Sequence, residues 1–222
     1  MPPDRAPSYP ILYTFRRCPY AIRARMALAS ANLTFEHREV ELKDKPESMI
    51  QYSPKGTVPV LVTQERVIEE SLDIMRWALS KHDPNGLLDI GPSCEVDTAQ
   101  LIESNDGFFK ENLDRYKYSV RFPESPPELY RDKAETFLHT LNTRLEKSRY
   151  LFGQTPTFGD IATFPFVRQF ANVDLNWFEG SPYSNVRKWL TSYLQSELFI
   201  AVMEKSPPWK EGDSPKLFSL KK

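Results

Sequence analysis

The 222-residue chain contains only two cysteines, Cys18 and Cys94. They could form one bridge at most, so a disulfide framework is excluded, and a chain of this length builds a core without such staples. That usage fits a reducing, cytoplasmic setting. Histidine is scarcer than usual at 3 residues, and His37, His82 and His139 are dispersed without metal-ligand spacing, so no metal site is expected. No apolar run approaches the length that crosses a bilayer. The opening MPPDRAPSYP lacks the apolar stretch of a secretory signal. Charge of one sign is also missing: 29 basic and 30 acidic residues are mixed along the chain. That balance excludes the broad basic footprint of a nucleic-acid binder.

What is present suits one or two ordinary globular domains: 40% hydrophobic and 27% charged residues, with 19 prolines scattered as turn and helix-start punctuation. Tyr9 to Phe15 (YPILYTF) is a short apolar run of the kind that forms a buried strand. Pro19 opens a helix running to about Ala31, with Ile22, Met26, Ala29 and Leu33 at helical spacing. Phe35 to Leu42 alternates as a strand, and a short helix follows Lys45-Pro46. Val58 to Thr63 and Val67-Ile68 read as strands joined by a turn at Gln64 to Arg66, which lacks the usual glycine. Ser71 to about His82 is a helix carrying Leu72, Met75 and Leu79 on one face. This βαβ–ββα order predicts an α/β thioredoxin-like domain over residues 1–83. Residues 84–94 read as a linker, and 95–222 as an all-helical domain with an irregular tail from Ser206.

The candidate chemistry sits at Phe15-Arg16-Arg17-Cys18-Pro19-Tyr20, between a strand and a helix. Proline is favoured in the first helical turn, which puts Cys18 at the helix N-cap. There the unpaired amides and the positive end of the helix dipole favour a thiolate, and Arg16 and Arg17 add positive charge. Such settings lower a cysteine pKa from about 8.5 into the range of roughly 3.5–7.5. A lone cysteine is ordinarily a small buried apolar residue, but the strand–Cys-Pro–helix arrangement favours reactivity. Cys94 has no such context. Position 21 is Ala21, so a C-x-x-C cycle is excluded, and a mixed disulfide on Cys18 needs an external thiol to resolve it. Glutathione is the cytoplasmic supplier.

Two further segments qualify as ligand-binding. Pro59, where a loop enters a strand, cannot donate to the ladder. If its peptide bond is cis, Val58 presents its backbone N–H and C=O to a peptide-like ligand. Glu70-Ser71 lies at a helix start, with Ser71 as N-cap. A carboxylate would be held by the helix N-terminus, and Glu70 would accept from an ammonium group. Arg23 and Arg25 read as a solvated helix face, and Phe108, Phe109, Leu113 and Tyr116 as a core stripe.

Four segments in order, RRCPYAIRARMAL, KDKPESMIQYSPKGTVPVL, VIEESLDIMRWAL and PTFGDIATFPFVRQFA, resemble the glutathione transferase superfamily. The likeness is strongest to its cysteine-type members, such as the omega class and glutaredoxin-like relatives, and runs from Pro10 to Glu204. The resemblance implies a thioredoxin-like domain followed by an all-helical one, with glutathione across the first and no metal. Cys18 would meet the glutathione sulfur, Lys45 the glycine carboxylate, Val58 before a cis Pro59 the cysteinyl backbone, and Glu70 and Ser71 the γ-glutamyl end. Tyr20 and Tyr116 would border the second-substrate site. The tyrosine that other members place on the first strand appears here as Thr14, next to Tyr13. Thr157 and Asp160 match the family's capping box. A homodimer is implied as well. Three activities follow: thiol transfer or reduction through Cys18, conjugation of glutathione to electrophiles, or non-catalytic binding.

Overall fold

A computed structural model describes residues 8–220. The first apolar run forms β1 (Ile11–Thr14), with all four residues buried. Alternation sends Ile11 and Tyr13 to one face of the sheet and Leu12 and Thr14 to the other. There follow α1 (Pro19–Ser30), β2 (Phe35–Glu39), α2 (Glu47–Tyr52), β3 (Val60–Val62), β4 (Val67–Ile68) and α3 (Ser71–Lys81). Strand β1 pairs parallel with β2 and antiparallel with β3, and β3 pairs antiparallel with β4. This is the expected thioredoxin-like order. Ile11 and Tyr13 pack with Val60, Val62 and Met49 of α2, and Trp209 joins this cluster from the far end of the chain. Helices α1 and α3 pack together, and α1 reaches Thr14 on the opposite face of β1.

The glycine-free turn between β3 and β4 is closed by a side chain. Thr63 Oγ1 accepts from Glu65 N (3.2 Å) and Arg66 N (3.0 Å) and donates to Arg66 O (2.8 Å). A threonine hydroxyl thereby supplies the local hydrogen bonds that a backbone turn otherwise provides.

The chain divides into two compact units, residues 1–85 with 196–222, and residues 86–195. The C-terminal stretch, expected within the helical domain and irregular at its end, belongs with the first unit. Ser196 caps α10 (Glu197–Val202), Trp209 N donates to Glu39 O (2.8 Å), and β5 (Leu217–Phe218) pairs with the free edge of β2. The sheet order is therefore β4-β3-β1-β2-β5. The physical reason is apolar burial against the sheet: Phe218 stacks on Phe35 at 5.0 Å, and Trp209 meets Tyr13 edge-on at 6.0 Å. A two-residue strand in a proline- and lysine-containing tail carries no period to read.

The second unit is helical. It comprises α4 (Gly91–Ser104), one π-helical turn (Asn105–Phe109), α5 (Lys110–Lys117), α6 (Pro127–Lys147), α7 (Phe158–Ala171), α8 (Leu175–Gly180) and α9 (Ser184–Leu194). The stretch expected as linker supplies the first turn of α4, which puts Cys94 on a helix. Helix α8, not foreseen, starts where Asp174 accepts from Trp177 N (3.0 Å). The expected capping box is present at Thr157 and Asp160. The Asp160 carboxylate also accepts from Leu151 N (3.0 Å) and Trp189 Nε1 (2.9 Å). Burial pushes that carboxyl up while the four donors pull it down. Elsewhere in this unit Phe109 stacks on Phe137 at 4.6 Å, and Trp189, which donates to Asp160, meets Phe164 edge-on at 6.1 Å. Among the described residues no helix is long and apolar enough to cross a membrane.

Candidate functional site

Cys18 is the N-cap of α1, with extended backbone angles and Pro19 directly after it. Its amide donates to Phe15 O (3.0 Å), and its carbonyl accepts from Ile22 N (2.9 Å), which starts the helical ladder. The thiol is half-buried and contacts Val58 O at 3.8 Å. Neither cysteine is disulfide-bonded. The Val58–Pro59 peptide bond is cis, as the loop-to-strand context suggested. Thiol, helix start and the Val58 backbone thus share one place in the first unit.

The loop before Pro59 turns at Gly56, whose φ is +62°. A side-chain carbon there would lie 3.3 Å from Ile50 Cδ1 and 3.7 Å from Lys45 Nζ. The exposed Lys45 ammonium therefore lies over the same loop as Val58. Below it, buried Ser53 donates to Glu69 Oε1 (2.5 Å), which ties the loop to the approach of α3. Glu70 is the N-cap of α3 and accepts from Ile74 N through its carbonyl (3.0 Å). The helix begins at Ser71, so the expected N-cap is displaced by one residue and the Ser71 hydroxyl is not a cap. That hydroxyl is buried and accepts from Arg23 Nε (3.0 Å). The Glu70 carboxylate pairs with the Lys55 ammonium, both largely exposed, and this contact pushes the Lys55 pKa up. A ligand ammonium at Glu70 would compete with that pair.

Arg23 and Arg25 are not a solvated face: they are 2% and 0% exposed. Helix α1 is buried on nearly every side, with only Tyr20 half-exposed among its twelve residues. The signal was in the sequence, since a helix apolar almost all round has no wet face on which to place an arginine. Arg25 binds Thr14 Oγ1, Arg16 O (2.8 Å) and Val202 O (3.0 Å), and approaches Phe15 O at 3.4 Å. From the other side Glu39 Oε1 accepts from Arg16 N (2.7 Å). The peptide groups two residues before Cys18 are therefore gripped by two buried charged side chains. Glu39, which sequence reasoning did not single out, also meets His37 Nε2 at 3.3 Å.

Two candidates remain. Tyr20 is half-buried with the Arg23 guanidinium 5.0 Å over its ring. Tyr116 belongs to the second unit, buried with its ring 5.5 Å from Phe170. Burial and the nearby Asp174 push its phenol up, and Arg131 pulls it back. On the first strand, the Thr14 hydroxyl is taken by Arg25. The Tyr13 hydroxyl accepts from Arg38 Nη1 (2.6 Å) and shares a hydrogen bond with Ser48 Oγ (2.8 Å). Both hydroxyls are committed to other protein groups. Among the described residues no group of three or more histidine, cysteine or acidic side chains is placed to hold a metal ion.

Residues 12–86 match the family model for the glutathione S-transferase N-terminal domain, and residues 111–192 the model for its C-terminal domain. Glutathione S-transferase U22 of Arabidopsis thaliana is 27% identical over 173 residues, which are 77% of this chain and 74% of that protein. Glutathione S-transferase omega-1 of Mus musculus is 25% identical over 211 residues, 93% of this chain and 81% of that protein. Among solved structures, a glutathione transferase family member from Pseudomonas fluorescens with two glutathione molecules bound superposes with a TM-score of 0.77 at 21% identity, over 91% of this chain and 95% of that one. Glutathione transferase Omega 3C from Trametes versicolor gives a TM-score of 0.71 at 22% identity, over 91% of each chain.

Proposed function

Because the chain belongs to the glutathione transferase superfamily, we propose that it binds glutathione on its first unit and uses Cys18 as the nucleophile of glutathione-dependent thiol–disulfide exchange. The observation that supports this best is Cys18 at the start of α1 with its sulfur against the Val58 carbonyl beside cis Pro59. The helix start favours the thiolate electrostatically. Val58 pairs with the cysteinyl backbone of glutathione, which brings the two sulfurs together. Lys45 attracts the glycine carboxylate. Ser71 and the first amides of α3 take the γ-glutamyl carboxylate, and Glu70 takes the amine. Two of the relatives are omega-class glutathione transferases, and the relative with two bound glutathione molecules supports glutathione as the ligand. A homodimer in a reducing compartment completes the reading.

The exchange balances in two steps. The Cys18 thiolate attacks the glutathionyl sulfur of a mixed disulfide. The Cys18–glutathione bond forms as the substrate's S–S bond breaks, and the departing thiolate takes a proton from water. A glutathione thiolate then attacks the glutathionyl sulfur on Cys18, which releases oxidised glutathione and restores the Cys18 thiolate. The substrate disulfide is reduced and two glutathionyl groups leave joined. With Ala21 at the C-x-x-C position, this external resolution is the route the motif permits.

Intact-protein mass spectrometry after incubation with oxidised glutathione should show one adduct, mapped to Cys18 and not Cys94. Cys18→Ser should abolish reduction of mixed disulfides. A Ser variant that reduces them at the wild-type rate would remove Cys18 as the nucleophile. Brisk conjugation of a chloronitrobenzene by the wild type without disulfide reduction would assign the site to conjugation instead.

A further inference from the structure

Two arginines stand immediately before Cys18, and the proposed exchange as written gives them no role. Arg17 is exposed and its guanidinium lies 5.6 Å over the Phe15 ring; Arg16 is half-buried. Neither guanidinium makes a hydrogen bond or an ion pair among the described residues. Their backbone, in contrast, is fixed. The Arg16 N–H is held by Glu39 and its carbonyl by Arg25, while Phe15 O accepts from both Cys18 N and Arg25. Glu39 brings one negative charge beneath the loop, buried and already engaged by Arg16 N and His37, and the buried Arg25 guanidinium opposes it. Among the described residues the loop thus carries two guanidiniums without a counter-ion, on a backbone held on both sides.

We infer that the loop Phe15-Arg16-Arg17-Cys18 selects the second substrate by charge, and that the group leaving Cys18's partner disulfide is an anionic thiol, one bearing a carboxylate close to its sulfur. This rests on the exchange reading above. With glutathione seated through Val58, Glu70 and Ser71, the non-glutathione half of a mixed disulfide emerges beside Cys18, where these arginines stand. An anion there is attracted in the encounter and again as the thiolate departs and its negative charge grows. One unit-charge contact at about 4 Å in water changes a rate about fivefold, and a fixed backbone lowers the cost of aligning the cations. A solvated pair of arginines that only favoured the thiolate would accelerate every disulfide alike, so selectivity separates the two roles.

The test compares two mixed disulfides of glutathione, one with 3-mercaptopropionate and one with cysteamine, similar in size and opposite in charge. At low salt the wild type should turn over the mercaptopropionate disulfide with a kcat/KM roughly three- to tenfold higher. The ratio should shrink toward one near 1 M salt, where the screening length falls to about 3 Å. Arg17→Gln should reduce the ratio, and Arg17→Glu, which leaves Arg16 balanced by one carboxylate, should bring it close to one. Equal turnover of both disulfides by the wild type overturns the inference alone, as does an Arg17→Glu variant that slows both and leaves the ratio unchanged. Turnover of neither overturns the exchange reading and this inference with it.

Discussion

Replacing Arg25 by methionine should loosen the loop that carries Cys18, and the size of the effect follows from the bonds it removes. Arg25 is fully buried, and its guanidinium supplies donors to Thr14 Oγ1, Arg16 O and Val202 O. Methionine keeps most of the aliphatic stem's packing but donates nothing. Each carbonyl stripped of its donor costs about 1–3 kcal/mol. Relief from burying a charge returns part of that, so the net loss should be about 2–4 kcal/mol. A domain has only about 5–15 kcal/mol in total. Urea unfolding of the purified variant should show a lowered midpoint at unchanged m. Amide exchange at Cys18, whose N–H is bonded to Phe15 O, should accelerate with it. Arg25→Lys should recover less than half of the loss, because a compact ammonium cannot span acceptors that a planar fork reaches together. A loss under about 1 kcal/mol, or a lysine variant indistinguishable from wild type, would refute the claim that these bonds hold the loop.

Two further outcomes follow from the exposed ion pairs. Glu70→Ala should weaken glutathione binding at least tenfold in calorimetry, since a charge-assisted hydrogen bond is worth about 1.5–3 kcal/mol, while the stability of the ligand-free protein barely changes because the Lys55 pair is largely exposed. Asp97 is held below its ordinary 3.8 by the Arg144 guanidinium, which meets it at 2.6 and 2.7 Å. The native state therefore favours its ionised form, so its contribution is present above pH 3.8 and fades as the pH falls below that value. Asp97→Asn should cost under about 1 kcal/mol at pH 7 and progressively less as the pH falls below 3.8, and a loss that does not decline with pH would contradict this assignment.

The elements that carry a period were readable from the residues alone. The run at Ile11 to Thr14, the helix after Pro19 and the hairpin around Val60 and Val67 lie where their patterns put them. The Cys-Pro helix start was equally legible, because proline restricts the first turn whatever surrounds it. What stayed hidden depended on contacts between residues far apart in sequence. That α1 has no wet face for Arg25 was readable, but its acceptors, Thr14 and the Val202 carbonyl 177 positions away, were not. Glu39 alternates like any strand residue, and only the return of the β1–α1 loop gives it the Arg16 amide. The one-residue displacement at Ser71 has a local competitor: Glu70 caps with its backbone, and Arg23 occupies the serine hydroxyl.

The return of the C-terminal stretch bears on the site from two directions. Through the Val202 carbonyl it orders Arg25, and Arg25 orders the peptide before Cys18. Through Trp209 and Glu211 it reaches the other side of the cradle. The Arg38 guanidinium lies 3.9 Å over the Trp209 ring while donating to the Tyr13 hydroxyl, and Glu211 accepts from Ser48 N (2.9 Å) in the first turn of α2. Helix α2 starts two residues after Lys45 and is followed by its C-cap Ser53, the residue that ties the Gly56 loop to Glu69. A strap that fixes both the thiol loop and the helix beside Lys45 sets their separation, and under the proposed seating of glutathione that separation would have to match the distance between the sulfur and the glycine carboxylate of one tripeptide. A two-residue strand and a single tryptophan contribute little burial by themselves. Their effect comes from being bonded to two segments at once, the loop before Cys18 and the helix after Lys45, the two that the proposed function brings to one ligand.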